Sequence, residues 1–398
     1  MKNLLYLVHR IPFPPNKGDK IRSYHLLRFL AEHYNVYLGT FIDDPNDTQY
    51  IDTVKQWCKA LNVEILNPSV AKLKSLMGIV KGQPLTLPYY TNTNMHQWVN
   101  RITQDHEFAG CVIFSSSMAQ YLEGRFQSLP TVIDFVDVDS DKWRQYSQSK
   151  SGVMGWVYRR EADYLEKYER YVANQVEASV FVSDKEANLF KTLAPNAPNV
   201  VGIPNGVDFD FFDPSITLPS PYTQNGPVIA FTGAMDYWAN VDAVRWFSDE
   251  VFPHCRAAQP DVKFYIVGGN PTQEVQELAK QEGITVTGRV EDIRPYILHA
   301  NVIVAPLRIA RGIQNKVLEA MALGKWVIAT EQAMEGIDAP AELATTTPLD
   351  STLFYEAIQA RLAMSAMAPA DGIRQWTQQN FSWQTSLMRF QTLLTGSP

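Results

Sequence analysis

The residues with the most chemical content lie in RIARGIQNKVLEAMALGKWVIAT, residues 308–330. An apolar strand, NVIVAP, precedes a basic loop containing a glycine, and a helix follows that Gly324 can end. Arg308, Arg311 and Lys316 therefore gather around a helix N-terminus. Unpaired backbone N–H groups and the helix dipole already favour an anion there, so the pattern predicts a phosphate site. Glu319 sits one turn after Lys316 on the same face. A carboxylate in that place accepts hydroxyl hydrogen bonds from a sugar or ribose hanging from the phosphates. The structural alternative is a surface arginine pair beside a helical Lys/Glu pair, worth only a few tenths of a kcal/mol, roughly.

A second group of charges is acidic. IDFVDVDSDKW, residues 133–143, follows a strand and contains Asp137 and Asp139 at D-x-D spacing. Such a pair can hold a divalent cation through its oxygens. With a phosphate site supplied elsewhere in the chain the metal is unnecessary, and Asp137 and Asp139 are then expected to bind or orient an acceptor hydroxyl.

A third group is the first strand-to-helix turn, HRIPFPPNKGDKIRSYH. Its single glycine, Gly18, falls where a dinucleotide fold needs G-x-G-x-x-G, which argues against NAD or FAD. Gly18 at a helix start still lets backbone approach a phosphate, with Lys20 beside it, while Lys17 and Arg22 are candidates on the acceptor side. Gly233, directly after the strand PVIAFTG, offers a backbone N–H to donor phosphates. The loop after it, residues 235–240, has no cation, so Arg308, Arg311 and Lys316 must supply the charge.

These residues need a scaffold that brings loops to one edge. Short runs apolar on both faces occur at residues 4–8, 35–41, 62–66, 111–115, 131–135 and 178–183. After GIPNGVDFDFFDP the rhythm restarts at 227–233, 262–268, 284–288, 301–306 and 325–330. Helical patterns separate the runs, which predicts α/β architecture with parallel sheets covered on both sides. The expected division is a Rossmann-like domain over 1–205, a second over 206–371, and a helical segment over 372–398.

The chain has 398 residues, too many for one core, with 45% hydrophobic residues and a formal net charge of -7. That charge argues against a nucleic-acid partner. Three dispersed cysteines, Cys58, Cys111 and Cys255, lack metal spacing and suit a reducing, cytoplasmic setting. No stretch is long enough to span a bilayer, and the first apolar run is too short for a signal segment. Residues 73–90 alternate lysines with apolar side chains, as does a segment lying on an anionic membrane or an ordinary surface helix.

The stretch ending LEAMALGKWVI resembles the E-x7-E signature of the retaining GT-B glycosyltransferases of family four. By position the second Glu, which in that family holds the ribose, is Glu319; the first falls on Arg311 and the usual Pro on Trp326. VTGRVEDIRPYILHANVIVAP is similar to the family pattern in which residues after the glycine contact the base, which implicates Arg289 and Val290. The family histidine near the Asp137–Asp139 segment has no counterpart within that segment. With NKGDKIRSYH, DFVDVDSDKW and FTGAMDY, the resemblance covers nearly the whole chain. It is nearest to the sugar transferases of PEP-CTERM/exosortase exopolysaccharide systems.

The resemblance implies a GT-B fold, two Rossmann-like domains facing a central cleft, with a terminal helix that crosses back to the first domain. It implies a metal-independent hexosyltransferase that moves a sugar from a nucleoside diphosphate sugar to a glycan or lipid-linked acceptor with retention. No cofactor is expected, and an enzyme at the inner face of the plasma membrane would make peripheral contact there. A GT-B nucleotide-sugar epimerase and a catalytically silent nucleotide-binding subunit are the alternatives, the latter because Arg311 replaces a family Glu.

Overall fold

The computed structural model describes residues 1–15, 18–149, 152–223, 226–310, 312–364 and 370–396. The chain divides into two compact units, Met1–Pro204 with Ser386–Pro398, and Asn205–Thr385.

In the first unit the strands are β1 (Asn3–Val8), β2 (Asn35–Ile42), β3 (Ala60–Ile65), β4 (Gly110–Phe114), β5 (Thr131–Val136), β6 (Ala178–Phe181) and β7 (Val200–Gly202). They form a parallel sheet in the order β3-β2-β1-β4-β5-β6-β7. Helices used below are α1 (Gly18–His33), α2 (Pro68–Ser75), α3 (Met77–Lys81), α4 (Asp139–Ser149), α5 (Gly152–Ala173) and α6 (Asp184–Leu193). Strands β1 and β4 are buried almost throughout, as a sheet covered on both faces requires. Phe135 and Phe181 stack at 5.3 Å between ring centroids and Phe190 of α6 closes on both, fixing the β5–β6 face. Ser183 caps α6, accepting from the Glu186 amide at 3.2 Å.

In the second unit the strands are β8 (Val228–Thr232), β9 (Lys263–Val267), β10 (Ile284–Gly288), β11 (Val302–Ala305), β12 (Val327–Thr330) and β13 (Thr345–Thr347). Their order is β10-β9-β8-β11-β12-β13, again parallel. The helices of interest are α7 (Trp238–Trp246), α8 (Asn315–Ala322), α9 (Ala370–Phe381) and α10 (Trp383–Thr395). Phe231, Phe247, Phe264 and Phe354 lie in one fully buried cluster. Burying each contributes roughly 1.5–3 kcal/mol. Gly324, with φ of 71°, takes the left-handed turn that ends α8, and the Lys325 amide returns to the Ala320 carbonyl at 3.0 Å.

The α/β reading and its strands agree with this architecture, apart from β7 and β13. Each is only three residues long, and β13 is a Thr-Thr-Thr run without an apolar signal. Trp326, in place of a proline, binds that edge strand: its Nε1–H donates to Thr345 Oγ1 at 2.9 Å. The C-terminal segment is two helices. Ile373 and Phe381 of α9 belong to the core of the second unit, and the first unit resumes at Ser386 within α10. The boundaries thus lie at 204/205 and 385/386 instead of 205/206 and 371/372, because α9 is amphipathic and buries its apolar face where it is.

Candidate functional site

In the second unit the strand order reverses between β8 and β11. Loops leaving the carboxyl ends of two such strands diverge, one to each face of the sheet, and leave a crevice where ligands bind. A cavity of about 370 Å³ occupies it here, lined by Thr232, Gly233 and Asn240 on the β8 side and by Ile313, Lys316 and Glu319 on the other.

Glycines make the backbone of this cavity possible. A Cβ on Gly268, where φ is 156°, would stand 1.7 Å from the Gly233 carbonyl oxygen, so no other residue fits without moving that loop. A Cβ on Gly233 would meet Asn240 Nδ2 at 2.7 Å and Lys316 Nζ at 3.3 Å. Gly233 N–H donates to the Val267 carbonyl at 3.0 Å, which turns the loop across the end of β9.

Lys316 lies in the first turn of α8, and its ammonium donates to Asn240 Oδ1. It also sits 4.5 Å from the centroid of the Phe231 ring. Asn240 is oriented by a second bond, Nδ2 to the Ala234 carbonyl at 2.9 Å. Burial lowers the Lys316 pKa to about 8, with the charge of Glu319 opposing the shift. Burial likewise raises Glu319 to about 7, against the pull of Lys316. Thr232 Oγ1 is buried at the cavity wall and has no hydrogen-bond partner among the described residues. An ammonium that burial disfavours, a carboxyl near neutrality and an orphaned hydroxyl are groups that an anionic, hydroxyl-bearing ligand would satisfy.

The remaining donor-side candidates divide. Arg311 and Lys17 lie outside the described residues. Arg308 does not line the cavity: its Nε donates to Asp242 Oδ2 of α7 at 2.8 Å, and its Nη2 pairs with Oδ1. This partner is 66 positions away, so the sequence pattern carried no hint of it. Arg289 is exposed beside Gly269 at the carboxyl ends of β9 and β10, and Val290 packs on the core; neither lines the cavity. Asn240, Tyr237 and Thr232 do line it and were not among the sequence candidates. The available signal was their place at the end of β8, in the loop after it and in the first turn of α7, since nothing else in the sequence links Asn240 to Lys316.

In the first unit two basic candidates are structural. Lys20 is 2% exposed and donates to Asp47 Oδ2 at 2.6 Å. Arg22 is as buried; its Nε donates to Asp134 Oδ2 at 2.7 Å and its Nη1 to the Ile203 carbonyl at 2.9 Å. The start of α1 turns both side chains inward, so neither presents charge to a donor or an acceptor. Gly18 is exposed at the first position of that helix.

Asp137 and Asp139 follow β5, one of the loops on the carboxyl edge of the first sheet. Val136 just before them has φ of 72°, a left-handed conformation costly for a β-branched residue. Its neighbours hold it there: Glu186 accepts from Val138 N–H at 2.8 Å, and Glu169 accepts from Ser140 N–H at 3.3 Å. Lys142 Nζ bridges Asp137 at 2.6 Å and Asp139 at 3.4 Å. Burial raises the Asp139 pKa, Lys142 opposes the shift, Asp137 adds to it and His9 opposes it.

At the carboxyl end of β1 stands His9, a histidine outside that linear motif. It stacks on Phe114, 5.9 Å between centroids, and its Nε2 is 3.4 Å from Asp19 Oδ2. Burial would raise Asp19, but hydrogen bonding and charge from His9, then Arg10, outweigh it and hold that carboxyl well below the usual range. The sequence signal for His9 was a polar pair, His9-Arg10, closing an apolar strand. Among the described residues no group of three or more His, Cys, Asp or Glu side chains is arranged to hold a metal ion.

Comparison with known proteins fits this geometry. Residues 226–363 match the family described as glycosyl transferases group 1. The sequence matches none of the curated proteins with which it was compared. Among solved structures it is similar to sucrose-phosphate synthase from Thermosynechococcus elongatus, with 18% identity, a TM-score of 0.67 and coverage of 99% of this chain and 98% of that one. It is also similar to HepE from Anabaena in complex with UDP, at 15% identity and TM-score 0.65, covering all of both chains. A third is WaaG, a glycosyltransferase involved in lipopolysaccharide biosynthesis, at 15% identity and TM-score 0.62, covering 99% of this chain and 100% of that one. The chain thus has a two-domain, Rossmann-like GT-B fold. The matched residues 226–363 fall within its second unit.

Proposed function

We propose that this protein is a glycosyltransferase that moves a hexosyl group from a nucleoside diphosphate sugar to an acceptor hydroxyl. The observation that carries the proposal is the crevice between β8 and β11, where Lys316, Glu319 and the unpartnered Thr232 hydroxyl line one cavity. The diphosphate would meet Lys316 and the backbone at Gly233, and the ribose would meet Glu319. As the glycosidic bond breaks, negative charge grows on the leaving diphosphate, and a preorganised ammonium stabilises it without reorganisation. HepE, bound to UDP and to UDP-glucose in its structures, supports a uridine nucleotide as the first ligand to test.

The finer assignment is retention at the anomeric carbon without a metal, as in family four. Asp137 and Asp139 would bind or orient the acceptor hydroxyl. The role would be in exopolysaccharide or other surface glycan synthesis, on a glycan or lipid-linked acceptor at the inner face of the plasma membrane. The resemblance of NKGDKIRSYH, DFVDVDSDKW and FTGAMDY to the PEP-CTERM-associated transferases supports this setting.

The test is thermal stabilisation by a panel of UDP, GDP and ADP sugars, followed by release of free nucleoside diphosphate. Release that depends on added acceptor and survives EDTA is expected. Release without acceptor would favour an epimerase or hydrolase, and abolition by EDTA with rescue by Mn²⁺ would return Asp137 and Asp139 to metal ligation.

A further inference from the structure

Two segments far apart in sequence build one apolar surface on the first unit. Asn67 caps α2, accepting from Ser69 N–H at 3.0 Å, and Gly82 ends α3 with φ of 63°. Only Ala71 of α2 and Gly78 of α3 are buried. Leu73 is 71% exposed and Val80 89%, with Leu76 and Met77 each about half exposed. At the start of α5, Val153 is 78% exposed and Trp156 57%.

The two segments are clamped together. Arg160 of α5 donates to the carbonyls of Gly78 at 2.7 Å and Gln83 at 3.1 Å. Glu161 accepts from Leu85 N–H at 2.6 Å and Thr86 N–H at 3.1 Å. Val153 and Trp156 precede Arg160 by seven and four positions, so they share the stripe of α5 that carries α3. Leaving this many large apolar groups in water is unusual for a surface without a partner.

The charge around them identifies the partner. From residue 65 to residue 104 the sequence contains no acidic residue, although the whole chain carries a net charge of -7. Lys72, Lys74 and Lys81 are exposed among the apolar side chains, as is Arg159 on α5. Asp163 and Glu166 further along α5 are engaged by Arg144 at 3.2 and 2.7 Å. Two copies meeting face to face would juxtapose these cations, whereas lipid phosphates would neutralise them and the acyl boundary would take the apolar groups. No helix among the described residues is long and apolar enough to cross a membrane.

We infer that α2, α3 and the first turn of α5 form one docking surface for an anionic lipid bilayer. Leu73, Val80 and Trp156 insert at the interface while the lysines meet phosphate headgroups. The inference deepens the proposed lipid-linked acceptor and rests on that reading for its purpose, though not for its geometry.

The experiment is flotation of the full chain with phosphatidylcholine vesicles, with and without phosphatidylglycerol, at low and high salt. The wild type is compared with Lys72→Glu/Lys74→Glu/Lys81→Glu, with Leu73→Ser/Val80→Ser and with Trp156→Ser. Binding to anionic vesicles alone is expected, weakened by salt and reduced at least about tenfold by the lysine changes, since each basic residue near the surface is worth about 1 kcal/mol before screening. Each apolar variant is expected to lose binding several-fold. Trp156→Ser matters most, because it is the variant that tests the contribution of α5. Wild-type and variant proteins floating alike would overturn the inference, as would dimers in sedimentation velocity that the same substitutions dissolve. UDP-induced thermal stabilisation, measured on every variant, separates the two readings: its absence with vesicle binding intact removes the donor-site proposal and leaves the docking surface standing.

Discussion

Lys316 is bound to Asn240, not to Glu319: its ammonium donates to the Asn240 side-chain carbonyl, and no ion pair within 4.0 Å joins it to a carboxylate among the described residues. The lysine is thus held in place by a neutral group and keeps its charge for a ligand.

Replacing Lys316 by alanine is expected to weaken nucleoside diphosphate binding by about 1.5–3 kcal/mol, the range for hydrogen bonds to charged groups. Calorimetry with UDP and GDP checks it. The unliganded protein should respond in the opposite direction. Burial sets the folded pKa of Lys316 at about 8, below its unfolded value, so its charged form opposes folding. That cost is full below pH 8 and fades as the pH rises towards the unfolded pKa of about 10.4. Lys316→Met should therefore raise the melting temperature at pH 7, by the equivalent of roughly 1–3 kcal/mol, and raise it less at pH 10.

Diphosphate binding should also take up a proton. An anion beside Lys316 favours its charged form and raises its pKa above about 8, so affinity falls as the pH passes 8 in the free protein. Calorimetry near pH 8.5 in buffers of different ionisation enthalpy should show uptake that Lys316→Ala removes. Equal apparent enthalpies in all buffers would dismiss Lys316 as the phosphate contact.

Glu319→Ala is expected to weaken binding of a nucleotide sugar more than that of pyrophosphate, because the partners proposed for this carboxylate are hydroxyls. Equal losses for both ligands, by competition calorimetry, would limit Glu319 to the charge balance of the cavity and remove it from the ribose.

Arg22 and Asp134 bear on the first unit. Both are buried and joined at 2.7 Å, so Arg22→Ala leaves a buried carboxylate without its partner and should cost about 3–5 kcal/mol. Denaturant unfolding checks the loss. In protein that remains folded, UDP affinity should match the wild type; a folded variant with normal stability and impaired acceptor use would instead restore Arg22 to the acceptor side.

The sequence by itself determined the α/β layering, because strands buried on both faces must be apolar at every position and helices between them must be amphipathic. The places of Gly233 and Lys316 were legible for a related reason: the first directly follows a strand and the second opens a helix, with Glu319 one turn further on, and in parallel sheets such positions fall on the carboxyl edge. Strand order was not legible, and it is strand order that sets the crevice at the carboxyl ends of β8 and β11. Partners distant in sequence were equally hidden. Asn240 meets Lys316 across 76 positions, Asp242 takes Arg308 from 66 away, and Arg22 reaches 112 positions to Asp134. A basic side chain in a loop looks the same whether it awaits a phosphate or closes on a buried carboxylate. Only the tertiary structure decides, because the cost of burying a charge depends on which groups the fold packs around it.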